Sequence, residues 1–258
     1  MKKIIHLSDL HIGYADMSRS FKCIVDNIKF LKQPASDYVI VITGDIVENA
    51  FDDPRYEEAQ AYMQMLRDEG YAVLIVPGNH DYGTGWLALK GYVKEFKKAF
   101  FGDVKTRYPK LDIIDGVAFI GLDSMAEELN WYDSLAANGE LGKAQLTKLS
   151  KLLAGKAVKD CSHRVIYLHH HPFEPLSKIH ELKDSEDLRA ALTASESVAA
   201  LLYGHNHHGK TCNGAWGIPR CYDAGTATRK NDGASIHRVI DLTRDARLDY
   251  DGAFHGTY

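Results

Sequence analysis

Five short apolar runs in this chain each stop abruptly at residues whose side chains bind ions or carry protons. Residues 3–8 (Lys-Ile-Ile-His-Leu-Ser) run into Asp9-Leu10-His11, and Tyr38 to Thr43 runs into Gly44-Asp45. Tyr71 to Val76 ends, through Pro77, in Gly78-Asn79-His80-Asp81. Arg164 to Leu168 ends in His169-His170-His171-Pro172, and Val198 to Tyr203 in Gly204-His205-Asn206-His207-His208. Runs of this length and purity read as strands buried on both faces, a property of parallel sheets. Parallel strands need crossovers, which are right-handed, so successive strand ends fall on one edge of a sheet. In open α/β sheets that edge is where ligands bind.

The intervening segments supply the crossovers. Ser18 to Lys32 places Phe21, Ile24, Val25, Ile28 and Leu31 on one helical stripe, and Pro34 ends it. Residues 54–69, 90–101, 143–158 and 184–194 are further helical stretches, the second with a lysine-rich outer face that reads as solvated. Leu111–Ile114 and Val117–Leu122 read as a hairpin turning at Asp115-Gly116, and the stretch from Asp123 to Gly139 as irregular, a substrate-contacting wall or a tucked surface loop. The tail reads as alternating strands at 220–224, 235–242 and 247–250. With no repeat and no low-complexity linker, residues 1–258 are expected to form one α/β domain.

Composition excludes several function classes. A net charge of −4 gives no global field toward nucleic acid or an anionic membrane. No run approaches the roughly 18 apolar residues of a membrane span. The N-terminal apolar stretch is broken at His6 and Asp9, too early for a signal peptide. Four cysteines without CxxC spacing read as reduced thiols of a cytoplasmic protein.

Thirteen histidines remain to be explained, and most of them lie at the strand ends. Singly, these ends have plain readings: Asn, His and Asp suit turns, Asp9 can cap, and His11 can pack. Together they do not. Alternation puts Asp9 with His11, and His205 with His207, on one face of an extended backbone, where each pair can grip one ion. Three successive histidines at 169–171 would need many polar partners if merely buried. The candidate ligands are Asp9, His11, Asp45, Asn79, His170, His205 and His207, too many for one ion. Mixed oxygen and nitrogen donors without thiolate suit two divalent transition ions, Mn2+, Fe2+/Fe3+ or Zn2+.

Through Asp9-x-His11, Gly44-Asp45, Gly78-Asn79-His80-Asp81, His169-His170-x-Pro172 and Gly204-His205-x-His207, the chain resembles the calcineurin-like metallophosphoesterase superfamily. The resemblance spans residues 9–207 and implies a four-layer fold, two packed mixed β-sheets flanked by helices. It further implies a binuclear centre: Asp9, His11 and His207 on one ion, Asn79, His170 and His205 on the other, and Asp45 bridging. His170 is chosen because it stands two residues before the proline. The implied reaction is in-line attack on phosphorus by a hydroxide bridging the ions. His80 is then the acid that protonates the leaving group, with Asp81 orienting its ring. His208, His171 and Trp131, with Trp86 and Tyr132, are candidate substrate contacts.

Within the superfamily, protein phosphatases carry Glu after Asn-His, where this chain has Asp81, and purple acid phosphatases add a tyrosine ligand absent here. The His-His-x-Pro and Gly-His-Asn-His forms are most similar to bacterial class III cyclic-nucleotide and glycerophosphodiester phosphodiesterases. The expected activity is therefore hydrolysis of a small phosphodiester, with nuclease or phosphomonoesterase as alternatives. A protein-binding scaffold is the reading from another class; it need not retain metal.

Overall fold

A computed structural model describes residues 3–31, 33–51, 54–84, 87–126, 137–173, 180–195, 198–228 and 235–254. Its chain order is β1 (Lys3–Leu7), α1 (Met17–Lys29), β2 (Tyr38–Thr43), α2 (Tyr56–Asp68), β3 (Ala72–Val76), α3 (Lys90–Phe101), β4 (Lys110–Ile114), β5 (Val117–Gly121), α4 (Lys143–Ala154), α5 (Lys156–Lys159), β6 (His163–Tyr167), α6 (Ser185–Thr193), β7 (Val198–Tyr203), β8 (Arg220–Asp223), β9 (Ser235–Ile240) and β10 (Tyr250–Phe254). The strands form two mixed sheets, ordered β10-β9-β1-β2-β3 and β4-β5-β6-β7-β8. β1, β2 and β3 run parallel, as do β5, β6, β7 and β8; β9, β10 and β4 pair antiparallel.

Period-two alternation decides what each strand face meets. Ile5, Ile40 and Ile42 face outward, where Phe21 and Ile24 of α1, Met63 and Leu66 of α2 and Phe96 of α3 cover them. Ile4, Val39 and Val41 face inward and meet Phe119, Val165, Tyr167 and Leu202 of the other sheet. The second sheet's outer face, with Ile120, Ile166 and Leu201, lies under Leu146 and Leu149 of α4 and Leu188 of α6. The result is the four-layer α/β architecture implied by the resemblance.

Two local expectations are revised. The helical stretch 143–158 is split at Gly155, whose extended ψ of 143° ends α4 before α5 begins. Residues 247–249 precede β10 rather than belonging to it. The Asp245 side chain accepts from Arg247 N and caps a 3-10 turn over Ala246–Leu248. Among the described residues no helix is long and apolar enough to cross a membrane.

Two buried histidines tie this architecture to pH. His6, paired in register with Arg238, lies between the sheets with Nε2 3.0 Å from Thr43 Oγ1. Burial, helped by the Arg238 charge, pushes its pKa down to about 3, and burial pushes His237 down to about 4. The unfolded chain protonates such rings near 6.5 while the folded chain does not, so stability is full above that value and falls as the pH drops toward 4. The slope is up to about 1.4 kcal/mol per pH unit for each ring. Urea melts between pH 7 and 4.5 should show it, and His6→Gln, which cannot titrate, should flatten it; an unchanged slope would remove His6 from the account.

Candidate metal centre

The C-terminal ends of β1, β2 and β3 face those of β6 and β7 across the seam between the sheets. The loops after β1 and β2 continue to pair beyond their strands: Asp9 N donates to Gly44 O, His11 N to Asp45 O and Ile12 N to Ile46 O, all near 3.0 Å. That ladder sets Asp9, His11 and Asp45 side by side. From the other sheet, His205 N donates to Asp9 Oδ2 at 3.1 Å, fixing the β7 loop against the β1 loop. Such close approach requires Gly204, because a Cβ there would collide with Ser8 Oγ and Asp9 Oδ2.

Two donor clusters share Asp45. Asp9, His11, Asp45 and His207 form one, and Asp45, His169 and His205 the other; donor atoms within each lie within 4.8 Å of one another. In the first, His207 Nε2 stands 3.0 Å from Asp9 Oδ1 and 3.2 Å from His11 Nε2. In the second, His169 Nε2 is 3.3 Å from Asp45 Oδ2, 3.0 Å from Asn79 Oδ1 and 3.2 Å from His205 Nδ1. Asp9, His11, Asp45, His205 and His207 all have positive φ, between 47° and 73°. Non-glycine residues in that region are uncommon and gather at functional sites.

The electrostatics match a cation site. Burial works against ionised Asp9 and Asp45, but the surrounding imidazoles, His207 for Asp9 and His169 for Asp45, outweigh it and keep both carboxyl groups below their usual range. His169 is also opposed by burial, yet the Asp45 carboxylate holds its pKa up to about 9. The two carboxylates of the seam thus favour positive charge beside them. Burial and neighbouring rings hold His170 and His205 well below the usual histidine range, so their imidazoles are neutral. Ionised carboxylates with neutral imidazoles are the states that ligate metal. Among the described residues, buried His170 Nε2 and His205 Nε2 have no hydrogen-bond partner, which is costly unless another group satisfies them. The residues present fit divalent ions.

Two sequence expectations need correction. The histidine brought to Asp45 is His169, not His170, and the strand pleat explains why. His169 shares the parity of Tyr167, which points between the sheets, whereas His170 shares that of Leu168, which points under α4 and α6. His169 Nδ1 donates to Thr43 O at 2.7 Å, which aims Nε2 at the cluster. His170 Nδ1 meets Ser124 Oγ at 2.7 Å, and its ring packs against His205 with centroids 4.4 Å apart.

The second correction concerns Asp81, which does not orient the His80 ring. Its carboxylate accepts from three backbone amides, Gly78 N at 2.8 Å, Ile46 N at 2.9 Å and Val47 N at 3.0 Å, and so ties the β2 and β3 loops together. His80 Nδ1 faces Glu48 O at 2.6 Å instead. Of the candidate substrate contacts, His208 is exposed beside the centre, while His171 is buried against Tyr203 and Phe173. Trp131, Tyr132 and Trp86 lie outside the described residues. Glu48, Ser124 and His180, whose ring centroid is 5.7 Å from that of His205, escaped the sequence reading. Only Glu48 left a trace there, three residues after Asp45.

Comparison with known proteins points the same way. Residues 2–209 match the family model described as calcineurin-like phosphoesterase. The chain is 24% identical over 260 residues to the glycerophosphodiester phosphodiesterase GpdQ of Enterobacter lignolyticus, covering 96% of this chain and 82% of that protein. It is 24% identical over 224 residues to the 3',5'-cyclic adenosine monophosphate phosphodiesterase CpdA of Haemophilus influenzae, covering 83% and 72%. Among solved structures, a dimetal phosphatase from Danio rerio is similar in fold, with a TM-score of 0.69, 14% identity and coverage of 98% and 99%.

Proposed function

This chain belongs to the calcineurin-like phosphoesterase family and is a metal-dependent phosphoester hydrolase, and from that premise we propose that its substrate is a small phosphodiester. The observation that carries the binuclear reading is the sharing of Asp45 by two donor clusters. Asp9, His11 and His207 would hold one ion, Asn79, His169 and His205 the other, with Asp45 between them. When bound, two such ions supply Lewis acidity toward the phosphate oxygens and a water-derived nucleophile at neutral pH. Manganese, iron and zinc all suit the donor set.

The chain's own residues do the rest. Asp9 and Asp45 bring negative charge to a buried seam, where the effective dielectric is low and a cation is held strongly. Thr43 O orients His169. His80 gives its Nδ1 hydrogen to Glu48 O and so leaves Nε2 to meet the leaving-group oxygen; it is half-buried at the rim. A protonated His80 Nε2 delivers the proton that the departing alkoxide needs. The diester preference draws on the relatives, which are phosphodiesterases by name. Four free cysteines support a cytoplasmic location.

The test is turnover of bis(4-nitrophenyl) phosphate against 4-nitrophenyl phosphate by manganese-loaded protein. A kcat/KM at least about tenfold higher for the diester, roughly 1.4 kcal/mol in transition-state binding, is expected. A reversed preference would make the enzyme a phosphomonoesterase, and no turnover of either without metal uptake would revive the scaffold reading.

A further inference from the structure

We propose that Glu48 is the positioning residue of this centre: its carboxylate fixes the His11 ring with Nε2 toward the ion, and its main-chain carbonyl fixes the His80 ring. One residue then sets the tautomer of both a ligand and the leaving-group acid. The inference rests on the reading of His11 as a metal ligand.

Glu48 Oε2 stands 2.7 Å from buried His11 Nδ1, an ion-pair contact, and 3.9 Å from His80 Nδ1; among the described residues no hydrogen bond competes for either Glu48 Oε2 or His11 Nδ1. Glu48 O is 2.6 Å from His80 Nδ1. The two rings meet edge to face with centroids 4.9 Å apart, so the residue spans a touching pair. Its backbone is locked as well: Glu48 N donates to Ile12 O at 3.0 Å, and Ile12 bridges Val47. Both halves of the arrangement therefore stand on the ladder that joins the β1 and β2 loops.

The chemistry selects one use for these contacts. A neutral imidazole carries one proton, and a carboxylate beside Nδ1 keeps it there, which leaves the Nε2 lone pair for a metal. His11 Nε2 points to Asp9 and His207, which with Asp45 supply the other donors of the first cluster. His11, Glu48 and His80 also lie close enough to form a cation site of their own. Using them so would strip the proton from His11 Nδ1 while Nε2 also ligates, making the ring an anion. Glu48 as a hydrogen-bond acceptor needs no such step. A carboxylate donating electron density through the ring also makes Nε2 a stronger ligand, and loss of such a partner typically costs 10- to 100-fold in metal affinity.

The experiment titrates Mn2+ into chelator-treated wild type, Glu48→Ala, Glu48→Asp and Glu48→Gln by calorimetry, with thermal melts in chelator and diester turnover as a function of Mn2+. Expected is a Kd of one ion weakened about 10- to 100-fold in Glu48→Ala and Glu48→Asp, the latter being too short to reach Nδ1. Glu48→Gln, which still offers an oxygen to Nδ1–H, should recover most of that affinity. Melting in chelator should be unchanged. Saturating Mn2+ should restore kcat with KM unaltered, because the carbonyl that holds His80 survives every substitution. Wild-type affinity in Glu48→Ala, or a kcat that saturating Mn2+ does not restore, would overturn the proposal. Wild type that takes up no metal or turns over no diester would instead sink the functional reading beneath it, and that arm is read independently of the variants.

Discussion

Asp45→Asn is expected to lower diester turnover by about 10³-fold or more and to reduce the bound divalent ions from two per chain to one or none. The size follows from the charge: stabilisation of the developing phosphoryl charge by a metal pair amounts to several kcal/mol, and each 1.36 kcal/mol is tenfold in rate. The substitution is nearly isosteric. Asp45 Oδ1 accepts from His80 N at 3.0 Å, and an asparagine carbonyl oxygen can do the same, so the loop keeps its shape. What is lost is the negative charge beside His169, which both Asp45-containing clusters share. Elemental analysis of purified protein together with kcat/KM decides it. Two retained ions and rates within tenfold of wild type would show that Asp45 does not bridge.

The second large effect belongs to His80 and depends on the leaving group. His80→Ala should cost about 10²- to 10⁴-fold in kcat for a diester with an alkyl leaving group, the usual worth of a positioned general acid. With a nitrophenyl leaving group, whose anion departs without a proton, the same variant should lose less than about tenfold. The His80 ring touches His11 only edge to face, and the main-chain N–H that holds Asp45 Oδ1 survives the substitution, so metal content should stay close to the wild-type level. A loss of equal size for both leaving groups would mean that His80 acts in some other way, for example by supporting His11 through their edge-to-face contact.

The difference between what the chain's order reveals and what it hides is one of range. Strand ends were readable because each combines an apolar run with the polar residues directly after it. Both signals sit within about ten residues, so Asp9, His11, Asp45, Asn79, His205 and His207 could be picked out and are brought together at the seam. His169 was also within reach. The parity that sends it between the sheets is set by Tyr167, whereas the spacing to Pro172 points to His170. Asp81 shows the opposite failing. A carboxylate next to His80 invited a pairing with that ring, whereas the nearest unsatisfied donors were backbone amides of Gly78, Ile46 and Val47. The pairing of Glu48 with His11 is not legible in the chain's order, since the two lie in different strand-end loops that the ladder between the β1 and β2 loops brings together.

The seam itself has a consequence for how the molecule comes into being. Asp9 and His205 N are joined across 196 residues of sequence, and Asn79 and His169 across 90. Contacts at such separations close late, after each sheet has gathered its local pairings. On the ribosome, Asp9, His11, Asp45 and Asn79 emerge long before His169, His205 and His207, and alone they complete neither of the donor clusters that share Asp45. A metal held by these clusters would therefore be captured among the final acts of folding. Ions that bound only the finished seam would draw the late equilibrium forward by mass action, and metal supply would then act on the yield of mature protein as well as on its turnover.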